Sequence, residues 1–314
     1  MRETLKRGAL VGLQTTWTLG KVIFPVTLLV TLLRHTPILD WFIKGITPFM
    51  GLLGLSGDAA IPLVIGNFLN LYAGIGAILT LDLTVKEVFI LAVMLSFSHN
   101  MLIESTVAAK VGIKVWIIVV VRVGLALLSA FVINLVWNGG NELAKYGLIP
   151  QSEEAVTGWF VIILDGVQKA AIGILQLAAI VIPLMIAIQF LKELKWLDRF
   201  SSWMSPATKL LGMKENTSTT LAAGLLIGLA YGAGVMIQAV KEDNVSKKDL
   251  TLAFIFLVAC HAVVEDTLIF IPLGIPVLPL LIIRLLTAII LTITVAVIWK
   301  RVEEHSRKEA FHGN

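Results

Sequence analysis

Hydrophobic and polar blocks follow one another in the same order in the two halves of this chain. Each half has a first apolar stretch, a mixed stretch, a second apolar stretch, a third hydrophobic segment and a last apolar stretch. About 20 apolar residues in a helix cross roughly 30 Å of hydrocarbon, so the first and last stretches are long enough to span a bilayer. The pattern predicts an all-α polytopic membrane protein. In the first half, the five blocks are residues 14–33, 37–54, 61–81, 84–110 and 115–137. In the second half, the corresponding blocks are residues 166–191, 196–212, 221–240, 246–273 and 277–299.

The two halves are also similar in sequence, because fixed offsets align identical residues. An offset of 158 places Gly8, Pro25, Pro48 and Gly54 on Gly166, Pro183, Pro206 and Gly212. An offset of 162 then places Gly66, His99, Arg122 and Trp137 on Gly228, His261, Arg284 and Trp299. Matches of His, Arg and Trp in one register indicate a duplication. We predict repeats at 7–137 and 165–299, a connector at 138–164 and a basic tail at 300–314.

The third segments, 84–110 and 246–273, decide the topology of the repeats. If they turn back within the membrane, each half crosses three times and the repeats are inverted; if they cross, the repeats are parallel. Inverted repeats place 15 Lys and Arg residues inside and 6 outside, whereas parallel repeats place 12 inside and 9 outside. The positive-inside rule therefore favours inverted repeats, with both termini cytoplasmic in a bacterial or archaeal plasma membrane. Each repeat is predicted to have about three crossing helices, an amphipathic helix and a re-entrant or broken-helix hairpin.

The third segments begin with capping sequences. Thr84 is followed three residues later by Glu87, and Ser246 is followed three residues later by Asp249. A hydroxyl and a carboxylate at this spacing satisfy free backbone amides at a helix N-terminus. Both patterns predict that helices begin there.

Dense polar groups at membrane depth lie inside the third segments, in a His-x4-acid-hydroxyl pattern that recurs in both halves. Ionisable residues in hydrocarbon are costly and usually mark a pathway or a charge pair. We predict a substrate or ion site near the midplane, where the two hairpin tips meet. Its candidate residues are His99, Asn100, Glu104, Ser105, His261, Glu265, Asp266 and Thr267.

An arginine follows each acid by 18 residues, which opens a structural alternative. Glu104 then pairs with Arg122, and Asp266 with Arg284, so that each hairpin is locked to its last helix. Both interpretations can hold together. A carboxylate paired in this way leaves the histidines free to titrate near neutral pH, which makes His99 and His261 candidates for proton coupling.

A divalent-metal site is a weaker alternative for the same cluster. Histidine and carboxylate side chains suit several divalent ions. However, four-residue spacing places His261 and Glu265 on one helical face, whereas five-residue spacing does not do so for His99 and Glu104. The candidate metal ligands are His99, Glu104, His261, Glu265 and Asp266.

Polar residues also occur in the second apolar stretches. Asn67, Asn70 and Gln238 lie there among glycines. Small residues in membrane helices more often serve close packing, but the amide groups are candidate contacts for the transported molecule.

Composition supports the membrane assignment and excludes several classes of function. Hydrophobic residues make up 57% of the chain and charged residues 15%. The net charge of +4 is small and dispersed, so we expect no nucleic-acid partner. A single cysteine, Cys260, excludes an intramolecular disulfide. We expect no resident cofactor. We expect the chain to contact a lipid bilayer, a small solute or ion, and either further copies of itself in a homo-oligomer or a partner membrane protein.

The His-x4-acid-hydroxyl segments and the arginine spans resemble the nucleoside recognition, or Gate, family over nearly the whole chain, as units at 7–137 and 165–299. Related units occur in the membrane part of ferrous iron transport protein B, in spore maturation proteins and, distantly, in concentrative nucleoside transporters. The resemblance implies transport of a nucleoside-like solute or an ion. No GTP-binding motif is present. The alternatives are a divalent-metal transporter and a membrane scaffold or signalling partner; we do not expect an enzyme.

Overall fold

The computed structural model describes residues 2–34, 36–147, 158–194, 196–242 and 244–312, so connector residues 148–157 and the last two residues of the tail lie outside it. The described part is helical, which confirms the all-α prediction. Its helices are α1 (Arg2–Arg34), α2 (Pro37–Leu52), α3 (Ala60–Phe68), α4 (Leu71–Ile78), α5 (Val85–Ser98), α6 (Met101–Lys110), α7 (Val115–Val136), α8 (Trp159–Glu193), α9 (Trp196–Leu210), α10 (Ser218–Ile227), α11 (Leu229–Glu242), α12 (Lys247–Ala259), α13 (Glu265–Leu268) and α14 (Val277–His312).

Five helical stretches of the described residues are long and apolar enough to cross a membrane: Arg2–Leu33, Val85–Lys110, Val115–Val136, Trp159–Leu191 and Val277–His305. A sixth candidate is a pair of helices, Ile43–Leu52 and Gly57–Phe68, bent by 91°. The chain is therefore a multi-pass protein with a broken or re-entrant helix pair.

The second apolar stretches, predicted as continuous spans, are each broken into two helices. The break between α3 and α4 falls at Asn70, whose Oδ1 atom accepts the Ala73 N–H at 2.9 Å and caps α4. The break between α10 and α11 falls at Gly228, which has φ +87°. A glycine adopts this left-handed conformation without the steric cost that a side chain imposes.

The third segments start as predicted and are also interrupted. Thr84 and Glu87 form a capping box at α5, and the Ser246 hydroxyl accepts the Asp249 N–H at α12, which confirms both caps. In the first half, α5 and α6 together qualify as one candidate span, Val85–Lys110, with a break at His99 and Asn100. This segment of the first half is therefore a broken helix.

The described chain divides into two compact units, and the first contains residues up to 102, 122–194 and 264–281. Its largest contact is between the long helices α1 and α8. Gly8 lies against Ile186 and Gly20 against Ile174, so residue numbers rise along α1 as they fall along α8. The two helices are antiparallel.

Glycines allow this close approach of α1 and α8. A Cβ atom built on Gly8 would lie 2.6 Å from the Ile186 Cα atom, and one on Gly12 would lie 2.8 Å from the Ile182 Cα atom. At the end of α8, Glu193 accepts a hydrogen bond from Thr4 at 2.6 Å and pairs with Arg7 at 3.0 Å. The hydrogen bond from Thr4 lowers the pKa of the Glu193 carboxyl.

Replacing Gly8 with Ala is expected to destabilise the first unit by about 1–3 kcal/mol, because overpacking against the α8 backbone forces the helices apart. Thermal unfolding in detergent measures the effect. Gly124→Ala on α7 is the matched control, since an added Cβ atom there meets nothing within 4 Å. Equal unfolding temperatures for the two variants would contradict the tight packing of α1 on α8.

The second unit contains residues 103–121, 195–263 and 282–314. Helix α10 packs against α9, α11 and α12. A Cβ atom on Gly224 would lie 2.4 Å from a Leu257 methyl group, so α10 and α12 are in close contact. This packing fixes the segment that ends at His261.

Candidate functional site

Left-handed residues end the two helices that carry the predicted histidines. In the first unit, His99 follows α5 and Asn100 has φ +52°. In the second unit, His261 follows α12 and Cys260, and Ala262 has φ +40°. Asn100 and Ala262 are 162 residues apart, so the duplication preserves this conformation. Positive φ is unfavourable for alanine, and such backbone outliers cluster at functional sites.

A glycine carbonyl holds each of these turns. The Asn100 N–H donates to the Gly66 carbonyl at 3.1 Å, and the Ala262 N–H donates to the Gly224 carbonyl at 3.0 Å. Gly224, rather than Gly228, is therefore the structural equivalent of Gly66, and our alignment of Gly66 with Gly228 is corrected. The offset of 158 therefore extends through this glycine. The change from 158 to 162, which corresponds to four inserted residues, lies later, in the region where α11 is longer than α4.

Two buried arginines hold the carbonyl groups that the helix breaks release. In the first unit, Arg122 donates from Nε to the Phe97 carbonyl at 2.7 Å and from Nη2 to the His99 carbonyl. In the second unit, Arg284 donates from Nη2 to the His261 carbonyl at 2.7 Å. Both arginines have 0% exposure. Their planar guanidinium groups supply several directed donors, which a lysine cannot match.

A histidine and a carboxylate from opposite repeats meet in the first unit. His99 Nε2 lies 3.9 Å from Asp266 Oδ2, which is an ion-pair distance when the ring is protonated. His99 Nδ1 lies 2.7 Å from the Leu95 carbonyl oxygen. Both side chains are buried.

The second unit has the equivalent pair in closer contact. His261 Nε2 lies 3.2 Å from Glu104 Oε1, and Nδ1 lies 2.8 Å from the Leu257 carbonyl oxygen. A carbonyl only accepts hydrogen bonds, so Nδ1 carries a proton and Nε2 of a neutral ring is an acceptor. Two acceptors at this distance need a proton between them, either on His261 as imidazolium or on Glu104 as carboxylic acid. In this geometry the pair therefore shares one proton.

The two pairs are reciprocal in sequence. His99 is equivalent to His261, and Glu104 is equivalent to Asp266, so each histidine contacts the acid of the other repeat. The sequence offered the local pairs Glu104–Arg122 and Asp266–Arg284 as a structural alternative. Those pairs stay predictions, and the structure adds a histidine partner for each carboxylate.

One polar contact of the first unit breaks the symmetry of the repeats. The Tyr72 hydroxyl donates to Glu265 Oε1, and both side chains are buried. The equivalent positions are Ala230 and Ile103, which cannot form this bond. The sequence predicted Glu265 as a site residue but not its tyrosine partner, because 193 residues separate them.

The other predicted site residues fall into two groups. Asn67 Oδ1, Asn100 Oδ1 and Ser105 Oγ are buried and have no hydrogen-bond partner among the described residues. Thr267 is buried beside Asp266 in α13. By contrast, Asn70 is used as a helix cap, and Gln238 is exposed with its Nε2 atom 2.7 Å from Glu242.

A separate cavity of about 870 Å³ in the first unit has a different character. Its lining is apolar apart from Lys44, and includes Phe49, Met50, Leu63 and Leu127. A polar solute gains few hydrogen bonds there, so the His–carboxylate pairs remain the better candidate site.

A family model described as Gate, nucleoside recognition, matches residues 16–132 and again residues 174–285. The chain belongs to the Gate family. Its two Gate halves contain the two histidines, the acids and the arginines described above. The chain is 67% identical over 301 residues to the uncharacterized membrane protein YvoD of Bacillus subtilis (strain 168), which covers 96% of each chain. No solved structure matches the chain.

Proposed function

We propose that this Gate protein is a proton-coupled secondary transporter of a small polar, nucleoside-like solute. The observation that carries the proposal is the pairing of each buried histidine with the acid of the other repeat, His99 with Asp266 and His261 with Glu104. A buried ionisable pair is costly in a membrane protein and usually marks a transport or proton pathway. No catalytic motif accompanies the pairs, so we do not propose an enzyme.

Reciprocal packing of α1 and α8 supports inverted repeats. Gly8 lies against Ile186, and Gly166 lies against Leu28. At the offset of 158, Gly8 is equivalent to Gly166 and Leu28 is equivalent to Ile186. The two contacts are therefore the same contact with the repeats exchanged. Equivalent helices that pack antiparallel fit a pseudo-two-fold axis in the membrane plane. Inverted repeats allow alternating access, and the positive-inside rule places both termini in the cytoplasm.

The proton held between His261 and Glu104 supports coupling to a proton gradient. Because the proton sits on one group or the other, its release leaves an unfavourable pair of acceptors 3.2 Å apart. Separation of the two side chains removes this unfavourable contact between acceptors. A solute that donates a hydrogen bond to them has the same effect. Proton movement and solute movement are coupled in this way.

The character of the solute follows from polar groups of the first unit. Asn67 and Asn100 each have a buried Oδ1 atom available to accept a hydrogen bond. Tyr72 and Glu265 add a polar contact that the other repeat lacks. Hydroxyl and amide groups of a nucleoside suit such acceptors.

Two alternatives remain for the same residues. A divalent-metal transporter would use the histidines and carboxylates as ligands. A scaffold or signalling partner would use the pairs only to hold its helices together. Ligand binding separates these functions.

Thermal-shift screening of the purified protein with nucleosides, nucleobases and divalent cations at two pH values tests the proposal. A ligand at 100 times its Kd stabilises the native state by about 2.7 kcal/mol. We expect a nucleoside to raise the unfolding temperature, and His261→Ala to remove that rise. His305→Ala is the matched control, because His305 is an exposed histidine in the C-terminal part of α14.

The other outcomes point elsewhere. A rise with a divalent cation that is lost in His261→Ala would replace the nucleoside proposal with metal transport. A protein that responds to none of these ligands at either pH would favour the scaffold.

A further inference from the structure

Three polar residues of α1 form one exposed stripe along a membrane helix. Gln14, Thr18 and Lys21 are all exposed, and their spacing of four and three residues places them on one face. Trp17, which is 70% exposed, lies within this face. We call Gln14, Thr18 and Lys21 the Lys21 stripe.

Lys21 lies at the middle of its span. It is 14 residues from Arg7 and 13 residues from Arg34, or about 20 Å from each at 1.5 Å per residue. The midplane of the hydrocarbon is about 15 Å from either surface, so the ammonium group cannot easily reach water. A lysine at this depth is expensive when it faces lipid alone.

Other described groups of the protein compensate the positive charge of Lys21 only in part. The ammonium nitrogen lies 5.8 Å from the centre of the Trp17 ring, which is a cation–π contact. In the part of the chain that the structure describes, no carboxylate lies within ion-pair distance of Lys21. The charge is therefore left for a counter-charge from outside the chain.

The Lys21 stripe is not part of the duplicated machinery. At the offset of 158, its three positions become Ile172, Gln176 and Ala179 in α8. Gln176 is 9% exposed, so the second repeat has no exposed polar stripe there. The stripe is therefore separate from the reciprocal His–carboxylate pairs, which both repeats contribute.

We propose that the Lys21 stripe binds a membrane-spanning helix of another protein that carries an aspartate or glutamate near the middle of the bilayer. The carboxylate pairs with Lys21, and polar groups of the helix hydrogen-bond Gln14 and Thr18. Such contacts hold membrane helices together.

A second copy of this chain does not fit the stripe. Away from the ends of its five candidate spans, the described carboxylates are Glu104, which is buried, and Asp165, whose Oδ2 atom is 2.8 Å from Lys169. Neither is available on the surface, and two Lys21 side chains repel each other. The partner is therefore a different protein, and this inference is independent of the transport proposal.

Site-specific photo-crosslinking of the full chain in the membranes of its native host tests the inference. A photoreactive amino acid replaces Thr18 in the stripe, and a second protein with the same group at Leu175, which is 68% exposed on α8, is the control. Mass spectrometry identifies the crosslinked segment. The inference requires a membrane helix with a central Asp or Glu at the Thr18 probe and not at the Leu175 probe.

Substitutions of Lys21 decide whether charge causes the contact. Lys21→Leu should lower the crosslinking yield about tenfold, and Lys21→Arg should retain it. Leucine inserts into a bilayer more favourably than lysine, so misfolding does not explain a loss in Lys21→Leu. Crosslinks to lipid alone, to another copy of this chain, or to a helix without a carboxylate would overturn the inference, as would a yield unchanged by Lys21→Leu.

Discussion

Asp266→Ala and Glu104→Ala should each reduce solute uptake into proteoliposomes to the level of empty vesicles, while the protein still inserts into the membrane. Each substitution removes the carboxylate that faces a buried histidine, at 3.9 Å for Asp266 and 3.2 Å for Glu104. Without its carboxylate the pair cannot take part in the proposed proton coupling, so uptake fails. Insertion depends on the apolar spans, which the substitutions leave intact. Uptake of the nucleoside identified by thermal shift, driven by an inward proton gradient, is the measurement.

Two controls make this result specific. Asp82→Ala removes an exposed carboxylate outside the five candidate spans and should retain full uptake. The double exchange His99→Asp with Asp266→His rebuilds the pair in reverse order and should recover part of the uptake. Uptake that persists in Asp266→Ala and Glu104→Ala would remove the His–carboxylate pairs from the transport mechanism.

The helical nature of the chain and the helix caps were predictable from the sequence because they depend on local chemistry. Long apolar stretches can bury their backbone in lipid only as helices, and the polar starts of α5 and α12 satisfy free amides. The Thr84–Glu87 and Ser246–Asp249 caps are accordingly confirmed. The same reasoning predicts that the histidines and acids lie at membrane depth, which stays a prediction.

The helix breaks were not predictable from hydropathy. Asn70 and Gly228 interrupt stretches that remain apolar on both sides, and a hydropathy window of about 19 residues averages over such single positions. Asn70 gave a weak local signal, because asparagine favours helix caps over helix interiors. The left-handed Ala262 gave none, because alanine ordinarily favours helices.

The partners of the site residues were not predictable either. Spacing along a helix identifies neighbours three or four residues apart, whereas His261 and Glu104 are 157 residues apart in sequence. The duplication nevertheless contained a usable clue. In a symmetric dimer, residue i contacts j and j contacts i, and an inverted repeat allows the same exchange between equivalent residues. Pairs between His and the acid of the other repeat are what such an exchange produces.

Arg122→Leu should destabilise the protein by about 3 kcal/mol or more, as a lower thermal unfolding temperature in detergent. Arg122 is completely buried and donates to the Phe97 and His99 carbonyls at the end of α5. Without it, two buried carbonyl groups lose charge-assisted hydrogen bonds, and each costs about 1–3 kcal/mol if left unsatisfied. Leucine also leaves the space of the guanidinium group poorly filled.

Arg122→Lys separates the effect of charge from the effect of geometry. Lysine keeps the positive charge but cannot direct donors from a planar fork at two carbonyl oxygens, so it should recover only part of the stability. Arg199→Leu is the matched control, because Arg199 is exposed on α9 and surface substitutions usually change stability by less than about 0.5 kcal/mol. If Arg122→Leu unfolds at the temperature of Arg199→Leu, the guanidinium does not hold the break after α5.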